Sequence, residues 1–185
     1  MPGMLYWFTL ALFGFCSLRL FEVLGGWRYY IESAVGHWFS AKKLYNILLL
    51  LALFGIVFFY NLTDVVMLRA ISPELHILAG VWVCIGLWLL VCAYHPSNIP
   101  SILGNTAALG MAVIAFANTL VSGDLTSVVC FSALTLCFCI EWCVCKPKVA
   151  ASYGWLNELV CVVMALGGYW LLFMWLDVTT WTKLI

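Results

Sequence analysis

The chain has 185 residues, 66% of them hydrophobic and 9% charged, and its eight Lys plus Arg balance eight Asp plus Glu to give zero formal charge. So little polar surface cannot clad a water-soluble globule, and with no basic run to follow a phosphate backbone, nucleic-acid binding is disfavoured. What remains is a chain solvated mainly by lipid. It is all-α, because in hydrocarbon each backbone amide must be paired within its own segment.

A spanning helix needs about 20 mostly apolar residues to cross roughly 30 Å of hydrocarbon. Six stretches meet that length: 4–21, 44–62, 76–94, 103–122, 125–145 and 156–176. They predict one polytopic transmembrane helix bundle, a single domain over 1–185 with short loops. The first stretch has no basic flank before it and no small-residue cleavage pattern after it, so it reads as a retained span and not a signal peptide. The loop that follows carries Trp27, Tyr29, Tyr30, Trp38 and Phe39 among Arg28, Glu32, His37, Lys42 and Lys43. Such a mixture suits a segment lying in the headgroup layer, or a docking surface for a partner.

The sequon Asn61, Leu62, Thr63 falls at the end of the second span, where glycosylation is sterically blocked, and reads as chance. Ser72, Pro73 and Glu74 then follow the order expected at a helix start. After the third span, His95, Pro96, Ser97, Asn98 and Pro100 form a rigid turn into the fourth. That fourth span carries Gly104, Ala107, Ala108, Gly110, Ala112, Ala115 and Ala117, small residues that let backbones approach, so it is expected to be the most protein-enclosed helix. Ser122, Gly123 and Asp124 make a tight hairpin whose Asp can cap the fifth span. The sixth, with Trp170, Phe173, Met174 and Trp175, is expected to face lipid or a partner.

All nine cysteines fall inside these spans. Cys137, Cys139, Cys143 and Cys145 point in several directions along one continuous helix, which cannot converge thiolates on a metal, so the cysteines read as small hydrophobes. Neither a metal site nor a catalytic residue is expected.

Six crossings put both termini on one side. Arg19, Arg28, Lys42, Lys43, Lys146 and Lys148 then share one face, and only Arg69 and Lys183 the other. By the positive-inside rule the first face is cytoplasmic, or matrix in an organelle, and both termini point outward. Arg19 and Glu141 lie about one turn from the basic face, in spans one and five, and are expected to form a structural ion pair that fixes packing. A proton or anion relay would need further such groups at mid-membrane, and these spans offer none. Glu158, in the first turn of span six, can reach the headgroups.

From Leu87 to Lys148, Tyr94, Pro96, Ile99 and Leu103 precede Gly110, followed by Ala117, Leu120, Gly123, Asp124, Leu125, Ser127, Phe131, Glu141 and Lys146. This order resembles the NnrU family of bacterial membrane proteins, which includes the plant zeta-carotene isomerases. The turn from Asn118 to Phe131 carries the most specific part of the likeness, and looser similarity covers nearly the whole chain. The resemblance implies a bundle of this size and, in the isomerases, a membrane-embedded haem b held by histidines. At the positions matching those histidines this chain has Ser17, Asn105, Asn118 and Asp177, which are poor donors to haem iron. Of its own histidines, His37 lies in a loop, and His76 and His95 are separated by about 19 helical residues, roughly 28 Å. No two can clamp one haem, so no haem b is expected and bound lipids are.

The reading that follows is a non-catalytic accessory subunit of a larger membrane complex, partnered by the bilayer and by other subunits. The respiratory chain of the mitochondrial inner membrane is favoured over a bacterial inner membrane or a plastid membrane. The alternatives are a haem b-dependent membrane isomerase or oxidoreductase of the NnrU type, or a lipid- or quinone-binding membrane protein.

Overall fold

The computed structural model describes residues 2–24, 41–64, 66–68, 70, 72–145 and 153–181, with side chains for all of these except 2, 24, 41–42 and 173–181. Among these described residues seven helices follow in order: α1 (Pro2–Leu24), α2 (Ala41–Leu62), α3 (Pro73–Tyr94), α4 (Ile99–Leu103), α5 (Thr106–Val121), α6 (Leu125–Val144) and α7 (Trp155–Trp181). Among the described residues the only β-type pairing is the isolated bridge between Met67 and Asp124. The chain is a polytopic helical membrane protein, with α1, α2, α3, α6 and α7 each long and apolar enough to cross a bilayer. Much of the first loop, Arg28 and His37 included, lies outside the described residues, as do Arg69, Lys146, Lys148 and Lys183 and the side chains of Lys42, Phe173, Met174, Trp175 and Asp177.

One span differs from its sequence boundary. The expected helix over 103–122 is divided at Gly104, whose φ of 77° lies in the left-handed region that glycine enters without a Cβ penalty. The short α4 ends there, and Asn105 starts α5 by accepting a hydrogen bond at Oδ1 from the Ala108 N–H at 3.3 Å. At about 1.5 Å per residue the 16 residues of α5 reach about 24 Å, less than a bilayer core.

Packing compensates for this short reach. α5 lies between α3 and α6, α6 packs on α1, α1 on α2, and α3 on α7, so the neighbours run α2, α1, α6, α5, α3, α7. Thr106, Ala108, Gly110, Ala112, Ala115 and Ala117 are all buried along α5. At the crossing with α3, a Cβ on Gly110 would lie 2.7 Å from the Gly86 carbonyl oxygen, and one on Gly86 would lie 2.9 Å from the Gly110 oxygen. Two facing glycines therefore set how closely α3 and α5 approach. α7 instead exposes Leu166, Trp170 and Leu171.

The loops lock the two ends. On one side Leu68 N–H donates to Gly123 O at 2.7 Å and Leu125 N–H to Val66 O at 2.9 Å, and Asp124 caps α6 by accepting from Ser127 N–H at 2.8 Å. On the other, the Asn98 amide donates to Tyr153 O at 2.9 Å and accepts from Tyr153 N–H at 2.8 Å, tying the approach to α4 to the start of α7.

Candidate functional site

Depth along the bundle brings charges from separate helices together. Arg19 lies near the end of α1, Glu141 in the last turn of α6, and Tyr45 and Asn46 near the start of α2. One terminal nitrogen of Arg19, Nη2, donates to both Glu141 oxygens, at 2.8 and 2.9 Å, while Nη1 reaches Glu22 Oε2 at 3.4 Å. Tyr45 interacts with both Arg19 and Glu22. The guanidinium carbon also stands 5.9 Å from the centroid of the Phe138 ring, within cation–π range. Glu141 is 7% exposed, so its charge depends on Arg19 for compensation. The carbonyl end of α6 adds further negative potential for the guanidinium. Arg19 Nε is buried and has no acceptor among the described residues.

This cluster forms the polar end of a groove of about 520 Å³. Phe15 of α1, Leu49, Leu50 and Leu53 of α2, Leu90 and Tyr94 of α3, Ala107 and Met111 of α5, and Phe138 of α6 supply most of its wall. Leu50, Tyr94 and Met111 are exposed, so the groove opens sideways towards the surrounding apolar phase. Its volume falls in the range that takes a small ligand or a length of hydrocarbon chain.

The other residues singled out from sequence lie apart from this cluster or are engaged locally. Ser17 is half-buried on α1. Asn105 is committed to the α5 cap, and the Asn118 amide donates to Ile114 O at 2.9 Å. Asp177 lies in α7, its side chain outside the described residues. His76 Nδ1 is 3.2 Å from Ser72 O, a loop carbonyl.

A model of the NnrU protein family matches residues 7–180. The chain belongs to the NnrU family. No curated protein and no solved structure matches it. Among the described residues of this NnrU chain, those around the groove do not fit a haem held by imidazoles. The groove is lined by no histidine, and Asn105 and Asn118 spend their side-chain hydrogen bonds on their own helix. Among the described lining residues, Met111 alone has a donor that suits haem iron.

Sequence reasoning missed a second cluster. Cys92, Glu158 and Cys161 were read as packing or headgroup residues, yet one donor atom from each lies within 4.8 Å of the others, and His95 Nδ1 stands 3.6 Å from Cys161 Sγ. The available signal was the spacing C-x-x-H at the end of α3 and E-x-x-C in the first turns of α7. The second puts two donors on one helix face, and the first places a histidine at the C-cap one turn beyond its cysteine.

Proposed function

We propose that this NnrU-family chain is a non-catalytic membrane module that holds the apolar chain of an uncharged amphiphile, a quinone or a neutral ester lipid, in the groove between α2 and α3. The observation that carries the reading is the groove's asymmetry: apolar walls from five helices end at one guanidinium. Arg19 is already shared between Glu22 and Glu141, so two carboxylates face one cation and a further anion is disfavoured. Arg19 brings a hydrogen-bond donor to the lining of the groove, which suits an ester or quinone carbonyl. A chain entering from the bilayer leaves one apolar phase for another, so van der Waals packing against the walls and the polar contact at Arg19 hold it.

Native mass spectrometry of the chain released from mild detergent, followed by organic extraction, tests this. A bound amphiphile is expected in the wild type and in Leu136→Trp, which alters an exposed position on α6 away from the groove, but not in Met111→Trp, which fills it. Equal retention in both variants, or no adduct in the wild type, contradicts the reading.

A second reading rests on the two helices at the ends of the row. α2 packs on α1 and α7 on α3, leaving Leu51, Phe54, Trp170 and Leu171 exposed. We infer that these edges seat the chain in a larger membrane complex, with a respiratory assembly of the mitochondrial inner membrane as the setting. Blue-native electrophoresis of gently solubilised membranes is expected to show co-migration with larger species; migration as a monomer counts against it.

A further inference from the structure

At the end of the molecule where α3 stops and α7 starts, Cys92, Glu158 and Cys161 bring one metal-ligating atom each within 4.8 Å of one another, and His95 Nδ1 stands beside Cys161 Sγ. Cys92 and His95 are three residues apart at the close of α3, and Glu158 and Cys161 are three apart near the start of α7. Glu158 and Cys161 share one face of α7, while His95, the extended C-cap residue of α3, reaches Cys161 Sγ from the helix end. Both thiols are completely buried at 0% exposure, whereas His95 and Glu158 are only partly covered. The cluster thus has a closed floor and an accessible rim.

From this convergence we infer that Cys92, His95, Glu158 and Cys161 form a binding site for one divalent ion of the zinc class, distinct from the groove and independent of its occupant.

Distances, donor chemistry and surroundings agree on this. Tetrahedral zinc with metal–sulfur and metal–nitrogen bonds of about 2.3 and 2.1 Å sets the sulfur–nitrogen edge at about 3.6 Å. Cys161 Sγ and His95 Nδ1 are 3.6 Å apart. The two sulfurs and the carboxylate oxygen lie within 4.8 Å of one another, so side-chain rotations that draw them in, with His95 turning towards them, complete the polyhedron. Two thiolates with an imidazole select zinc over magnesium or calcium, which demand oxygen.

Glu158 is held as ligating carboxylates are held. Its oxygens accept from Ser97 Oγ at 3.1 and 2.9 Å, and Oε1 accepts from Asn98 N–H at 2.6 Å. The Asn98–Tyr153 amide pair clamps the same two segments, so the geometry exists before any ion arrives. Charge also balances. Loading a dication while each thiol releases a proton leaves the local net charge unchanged, which suits a poorly hydrated site. No redox partner is needed.

The test uses the full-length, tag-free chain in detergent, stripped with a chelator and titrated with Co2+ alone. One equivalent is expected to give tetrahedral d–d absorption with thiolate-to-cobalt charge transfer, displaced by Zn2+ and accompanied by proton release. Cys92→Ser and Cys161→Ser are expected to lose most of the charge transfer. Cys84→Ser, on the same helix outside the cluster, is expected to keep it. Ser97→Ala leaves the ligands in place and is expected to weaken affinity about 10–100-fold through loss of carboxylate support. Absence of charge transfer in the folded wild type overturns the inference without any variant. So does unchanged cobalt affinity in a folded Cys92→Ser/Cys161→Ser double variant.

Discussion

Removing Arg19 tests how the bundle tolerates charge at depth. In Arg19→Met, Glu141 keeps its place at 7% exposure and loses the donor at 2.8 Å, while Glu22, with its side chain 35% exposed, can turn towards solvent. An uncompensated buried charge costs about 3–5 kcal/mol. Arg19 is itself 25% exposed, which places the expected loss near the low end, about 3 kcal/mol. Glu141→Gln is milder, about 1–2 kcal/mol, because Arg19 retains Glu22 and the amide can still accept a hydrogen bond. The double variant Arg19→Met/Glu141→Met removes both charges from a site already walled by Phe15 and Phe138. It is expected to regain most of the loss, since apolar replacement of a buried pair is often neutral or better. Thermal unfolding in detergent, run as a double-mutant cycle with Arg19→Met and Glu141→Met as the single variants, gives the coupling directly. Additive losses would refute the reasoning, because independent sites add and a paired charge does not.

Three further outcomes follow from the packing and the caps. Gly110→Val drives a side chain into the Gly86 carbonyl at 2.7 Å, so α3 and α5 must separate; a loss of at least about 1–3 kcal/mol is expected in the same unfolding assay, with Gly167→Val, whose Cβ meets nothing within 4 Å, far less affected. Asp124→Ala is expected to cost about 1 kcal/mol through loss of the α6 cap. Burial opposes ionisation of Asp124, but the hydrogen bonds from Ser127 outweigh it and hold the carboxyl below its ordinary 3.8. Its stabilisation is therefore complete above pH 3.8 and fades as the pH falls through the lower folded value, so the gap between wild type and Asp124→Ala should close only in strong acid. Trp142→Phe removes the indole bond to Leu103 O at 2.7 Å and is expected to cost about 1 kcal/mol; no change in unfolding would mean that this tie to α4 carries no weight.

The spans were legible because lipid forces every backbone amide into its own helix, making long apolar runs unambiguous. The enclosure of α5 could be read from Gly110 and the alanines around it, since small residues at helical spacing permit backbone contact. The break at Gly104 was not legible. An isolated glycine in an apolar run does not announce a positive φ, and Asn105 caps a helix only once the chain has turned there. At the polar end of the groove, Arg19 and Glu141 stood out as rare charges at matching depth. Glu22 fell in the first loop and Tyr45 within the second span with nothing to single it out, because their meeting depends on the rotation of α1 against α2. Cys92, His95, Glu158 and Cys161 escaped for a similar reason: their donors come from two helices joined only through intervening α4, α5 and α6, and each three-residue spacing alone is commonplace.

If the groove ending at Arg19 holds a membrane amphiphile, its walls must lie against that molecule in the bilayer. Photolabelling in native membranes with a diazirine-bearing neutral lipid, read out by peptide mapping, tests it most directly. Labels are predicted to concentrate on Leu49, Leu50, Leu53, Leu90 and Met111 and to fall sharply in Met111→Trp. Labelling that instead follows exposure alone, with Trp170 and Leu171 of α7 marked as heavily as the groove and no response to Met111→Trp, would contradict it.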